Sequence, residues 1–167
     1  MARPILQATT ATTPNIGGDA SVTSPTVTGH SSTVAASSGV AFADNRSCRW
    51  SGFPGGPSGR QSAVLKVTHT SSGTLVGPTA ANGFVLEYSL NGGGAWTTIA
   101  SRSNFTSSQG PTTFSLALSA GQDLTQVQVR DRLTTSSNDI NDSASATVTI
   151  ADIQIEAATP VQMQAVL

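Results

Sequence analysis

The sequence predicts an all-β protein: an antiparallel β-sandwich of jelly-roll type with an extended N-terminal arm. Three observations carry that reading. Serine and threonine make up 46 of the 167 residues, 23 of each. Threonine favours strands, and serine, glycine and proline favour turns. Only 10% of the residues are charged, against roughly 25% in an ordinary soluble domain, and good helix formers are sparse. Apolar and polar residues also alternate with period two in several segments separated by turn clusters, which is the pattern of half-buried strands.

Residues 1–45 form the first region. Their large apolar side chains are few: Ile5, Leu6, Ile16, Val22, Val27, Val34, Val40 and Phe42. Such a segment cannot bury enough surface to fold alone. It reads as an extended arm that adds little to the core of its own subunit and is ordered by neighbouring subunits, with Ile5, Leu6, Ile16, Val22 and Val27 as assembly anchors. The sandwich domain is expected over 46–160, followed by a C-terminal tail, 161–167.

Within the domain, Trp50 and Phe53 precede the Gly/Pro loop Pro54–Arg60 and are expected at the edge of the core. Ala63, Leu65 and Val67 alternate with Val64, Lys66 and Thr68, a strand over about 61–70, with turn residues Ser71-Ser72-Gly73 after it. His69 falls on the face of Leu65 and Val67. Phe84, Leu86, Tyr88 and Leu90 define a stronger strand whose other face carries Glu87, expected in solvent. Asn91-Gly92-Gly93-Gly94 follows, and the apolar pattern resumes from Trp96 to Ile99. Asn and Gly tolerate the positive φ of tight hairpin turns, so this is a hairpin. Tyr88 and Trp96 are expected to pair across it.

Phe114, Leu116 and Leu118 mark the next strand, and Val127 and Val129 another over about 124–133. In the last strand the apolar residues sit at even positions through Ala144, Ala146, Val148 and Ile150, then at odd positions, Ile153 and Ile155. A regular strand would turn its second half onto the wrong face. One extra residue at Ala151-Asp152, a β-bulge, restores the register. The core predicted from these patterns contains Leu65, Val67, Phe84, Leu86, Tyr88, Phe114, Leu116, Val127, Val129, Val148 and Ile150.

Charge and chemistry exclude several functions. The net charge is −1 with seven arginines and one lysine, not the basic balance of a nucleic-acid binder. Cys48 is the single cysteine, so no intrachain disulfide forms. With only His30 and His69 besides it, no zinc site is expected. Neither histidine accompanies a Gly-x-Ser-x-Gly turn, and Glu87 and Glu156, the two glutamates, have no evident carboxylate partner for glycoside hydrolysis. Asn138-Asp139-Ile140-Asn141-Asp142 is a dense oxygen cluster without EF-hand spacing, and reads as a turn. No apolar run is long enough for a membrane span or a signal peptide. The expectation is therefore no enzyme, no cofactor, no metal and no membrane. Trp50 and Trp96 are the candidate ligand-stacking residues, as in sugar-binding sandwiches.

The stretch Leu86–Ile99 is similar to a Tyr-Ser-x-Asn/Asp-Gly-Gly-x-x-Trp hairpin found in β-sandwich modules of bacteriophage tail and capsid-surface proteins and of extracellular carbohydrate-active proteins. The chain as a whole resembles small bacteriophage virion structural proteins. That resemblance implies a non-enzymatic structural role in capsid decoration or a tail. The protein would be made in a host cytoplasm and located in the virion, with a homo-oligomer and other virion proteins as partners. The alternative is a carbohydrate- or receptor-binding module, with a host-surface glycan as partner.

Overall fold

The computed structural model describes residues 5–8, 10–15, 20–23, 30–36, 46–55, 62–76, 83–103, 105–134 and 143–157. They form two antiparallel sheets packed face to face. In chain order the strands are β1 (Ile5–Gln7), β2 (Thr10–Asn15), β3 (Ala20–Thr23), β4 (His30–Ala36), β5 (Arg46–Ser51), β6 (Ala63–Val76), β7 (Gly83–Ser89), β8 (Thr97–Ser103), β9 (Gln109–Leu118), β10 (Gln128–Thr134) and β11 (Ser143–Ala157). A single 3-10 turn, Leu124–Gln126, precedes β10. One sheet runs β3-β4-β11-β6-β9, with β1 also paired to β11; the other runs β2-β5-β10-β7-β8. The all-β sandwich read from the sequence is the observed fold, and β6 to β11 are the six strands expected beyond residue 60.

The period-two pattern accounts for the core. On β6, Ala63, Leu65, Val67 and His69 point inward. Leu65 and Val67 face Leu116 and Phe114 of β9 in register, and Ile155 and Ile153 of β11. From the other sheet come Trp50, Phe84, Leu86 and Val129, all nearly or wholly buried. Tyr88 and Phe114 are only partly buried, and their rings stack across the sandwich at 5.9 Å. Each buried Val, Leu, Ile or Phe side chain contributes roughly 1.5–3 kcal/mol. Val148 lies in β11, but its side chain is outside the described set.

The register change in β11 is present. Ile150 pairs with His69 and Asp152 with Thr68, so the ladder skips Ala151. Ile150 and Ile153 are both buried, which a regular strand forbids. By contrast, Ser71-Ser72-Gly73 is no turn. β6 continues through it to Val76 because β11 runs long enough to pair with it throughout.

The N-terminal region differs from the arm expected of it. β1 pairs with β11, β2 with β5, and the β3–β4 pair extends the first sheet from β11. Between β1 in one sheet and β2 in the other, Ala8 is buried. Leu6 packs on the core of its own chain. The physical reason is backbone pairing: β11, 15 residues long, offers an edge to β1 and β4, and β5 offers one to β2.

Candidate ligand-binding face

The outer face of the second sheet brings charged, amide and aromatic side chains together. Residues opposed in an antiparallel ladder share a face. Arg130 on β10 lies between Arg49 on β5 and Glu87 on β7, which makes a row of three charged residues across the sheet. Gln128 and Arg132, two positions away on β10, flank Arg130 on the same face. The sequence alternation produces this directly, since Val127 and Val129 turn inward.

Glu87 is the hub. Its carboxylate accepts from Arg130 Nε at 2.6 Å, from Arg132 Nε at 2.9 Å and from Arg132 Nη2 at 3.2 Å. The residue is only 7% exposed, so it is not the solvated glutamate expected. Burial pushes its pKa upward, but the hydrogen bonds and charges of Arg132 and Arg130 outweigh burial and hold it below the usual value.

Trp96 lies beside this row, immediately before β8, and its indole is partly exposed. The guanidinium of Arg130 sits 4.0 Å from its ring centroid and that of Arg49 5.3 Å, both within cation–π range. The hairpin fixes the ring. Ser89 Oγ accepts from Gly93 N at 2.9 Å, Asn91 Oδ1 accepts from Ala95 N at 2.8 Å, and Gly92 N donates to Gln126 O at 2.9 Å. Gly92 and Gly93 both have positive φ. At Gly93 a Cβ would come within 3.1 Å of Gln128 Oε1 and 3.4 Å of the indole, so glycine keeps this flank open as well as closing the turn. Two buried polar atoms of this face, Arg49 Nε and Gln128 Oε1, have no hydrogen-bond partner among the described residues.

The two tryptophans therefore part company. Trp50, opposite Val129 on β5, is wholly buried. Its position in the β5 ladder turns it inward, and it is a core residue rather than a stacking one. Phe53 is likewise inside the core rather than at its edge. Trp96 does not pair with Tyr88. The partner of Tyr88 in the ladder is Thr97, so the two rings take opposite faces of the sheet.

Of the expected anchors, Ile5 is 58% exposed and Leu6 is on the core. Val22 lies in β3 with its side chain outside the described set, and Ile16 and Val27 lie outside the described residues. The cluster Asn138–Asp142 lies outside them too. Among the described residues no group of three or more His, Cys, Asp or Glu could hold a metal ion. Sequence reasoning missed Arg49, Arg130, Arg132 and Gln128. The signal available was the alternation Gln128, Arg130, Arg132 opposite Val127 and Val129, together with Glu87 as a counter-charge.

A second cluster closes one end of the sandwich. Arg102 lies 4.5 Å over the Phe105 ring and donates to Ser71 Oγ at 3.0 Å and Ser107 O at 2.7 Å. Phe105 and His69 meet Phe84 edge-on. These contacts pin the segment between β8 and β9 to the core; His69 is an apolar-packed histidine with its Nδ1 unpartnered among the described residues.

No protein-family model and no curated protein matches this sequence. Solved structures of similar fold include the N-terminal xylanase 10B of Clostridium thermocellum, CBM22-1 and GH10 modules complexed with xylohexaose, at 12% identity and a TM-score of 0.44. That match covers 99% of this chain, which spans only 30% of the xylanase chain. The CBM22-1 xylan-binding domain of Paenibacillus barcinonensis Xyn10C is 13% identical at a TM-score of 0.34, with 96% of this chain and 98% of that one covered. The CBM22-2 xylan-binding domain of the same protein is 14% identical at 0.27, with 85% and 92% covered. At these identities and TM-scores the likenesses carry nothing over to this chain.

Proposed function

We propose that this chain is a non-enzymatic β-sandwich binding module that takes a carbohydrate on the outer face of β5, β10 and β7, with Trp96 as the stacking platform. One observation carries the reading: a partly exposed indole stands against the guanidiniums of Arg130 and Arg49, and Arg130 engages Glu87 through its Nε alone. A sugar ring offers an apolar C–H face for the indole and hydroxyls that both donate and accept. The terminal nitrogens of Arg130, which meets Glu87 through Nε alone, can donate to such hydroxyls. Virion assembly drew its mechanical support from an arm free of its own core. The described strands of residues 1–45 pair within the sandwich, and that support falls away.

The test is a polysaccharide-binding screen of the full chain, repeated with Trp96→Ala. Binding to at least one glycan is expected, with about tenfold or greater weakening in the variant, equivalent to about 1.4 kcal/mol, and an unchanged thermal midpoint. Absence of glycan binding, or binding that survives the substitution, would overturn the reading.

A further inference from the structure

The charge on this face singles out a class of carbohydrate. Among the described residues, Arg49, Arg130 and Arg132 share this face with one carboxylate, Glu87, on a chain whose net charge is −1. Glu87 is already engaged by Arg130 and Arg132. Arg130 meets it through Nε alone, so its terminal nitrogens are left for another acceptor. Arg49 has no carboxylate partner among the described residues, and its Nε is buried. A partly buried guanidinium with no counter-charge is costly. The Trp96 ring compensates it only in part, through its quadrupole.

We infer that the ligand of this face is an acidic polysaccharide, whose carboxylate or sulfate groups pair with Arg49 and the outer edge of Arg130 while a sugar ring rests on Trp96. This rests on the carbohydrate reading above. The planar fork of arginine matches carboxylate and sulfate oxygens in a bidentate manner, which the hydroxyls of a neutral glycan cannot reproduce. Neutral sugars would leave Arg49 without a counter-charge.

The experiment compares affinities of the full chain for dextran, dextran sulfate, xylan, polygalacturonate and an oligothymidylate, at low and raised salt. The expected result is binding to dextran sulfate or polygalacturonate at least about tenfold tighter than to dextran or xylan. That binding should weaken as salt rises and fall about tenfold or more in Arg49→Gln. If the neutral polymers bind as well as the acidic ones, the inference fails and the carbohydrate reading stands. If no polysaccharide binds, both fail. Should the oligothymidylate bind as tightly as the acidic polysaccharides, the face is a general polyanion surface, and the inference is again overturned. Trp96→Ala supplies an independent check of stacking: unchanged binding to the acidic polymer would leave charge alone as the attraction and would also refute it.

Discussion

Glu87 and His69 are two ionisable side chains that the fold has withdrawn from water by different means. Glu87 is compensated by two guanidiniums from β10, residues 43 and 45 positions away in the chain. Hydrogen bonds to charged groups contribute about 1.5–3 kcal/mol each. Glu87→Gln keeps the shape but loses the charge, and is expected to cost about 1–3 kcal/mol in denaturant unfolding. Because the folded carboxyl has a lowered pKa, its contribution is present above the ordinary glutamate range and is lost as pH falls through the folded value. Acid titrations of wild type and Glu87→Gln should therefore converge. His69 is the opposite case: burial against Phe84 lowers its pKa from 6.5 with no compensating charge. Above 6.5 it is neutral both folded and unfolded. Below that value the unfolded chain takes up the proton first, so stability should fall as pH drops. Thermal melts between about pH 7.5 and 5.5 should show a decline that His69→Leu reduces; an identical decline in both would remove His69 as its source. Sequence alternation assigned the faces of both residues correctly. It could not assign the environment of Glu87, because its partners are brought alongside only by the β7–β10 pairing. Nor could it separate Trp50 from Trp96, since a single aromatic beside a turn has no periodicity to orient it.

At the scale of elements, β11 is the strand on which most of the first sheet depends, pairing with β1, β4 and β6. Its bulge joins two halves of opposite parity. Deleting Ala151 should force a regular ladder and drive either Ile150 or the Ile153/Ile155 pair outward. Each exposed isoleucine forfeits roughly 2–5 kcal/mol, comparable in sum to the whole stability of a domain. The deletion variant is expected to lack the cooperative unfolding transition, whereas Ala151→Ser should retain it. A folded, cooperative deletion variant would mean that the bulge is dispensable. The parity break was legible because isoleucine is unambiguous about its preferred side. The extension of β6 beyond Thr70 was not, because Ser71, Ser72 and Gly73 are ordinary turn residues whose strand conformation is imposed by a long partner.

The whole molecule shows the same dependence on long-range pairing. Five segments after residue 60 carry period-two signals, and the sandwich could be read from them. The strands before residue 37 carry almost none, and their backbones pair into the two sheets. Truncation tests this incorporation. Removal of residues 1–15 strips β1 and β2 from the two sheets along with the core contacts of Leu6 and Ala8. It should lower the thermal midpoint measurably, by about 4 °C or more for each kcal/mol lost from a domain near 100 residues and about half that for a larger one. An unchanged midpoint would restore the segment to the status of a dispensable arm.

The pairing of Ile5 with Glu156 has a consequence for how the chain is threaded. Ile5 and Glu156 are neighbours on one sheet, so a linker joining these two positions need not cross the molecule. A new opening placed between Ala120 and Gly121, both exposed and between β9 and the 3-10 turn, breaks none of the strand pairs. A circular permutant built this way is expected to fold to the same sandwich. The order in which the strands are joined is then separable from the way they pack.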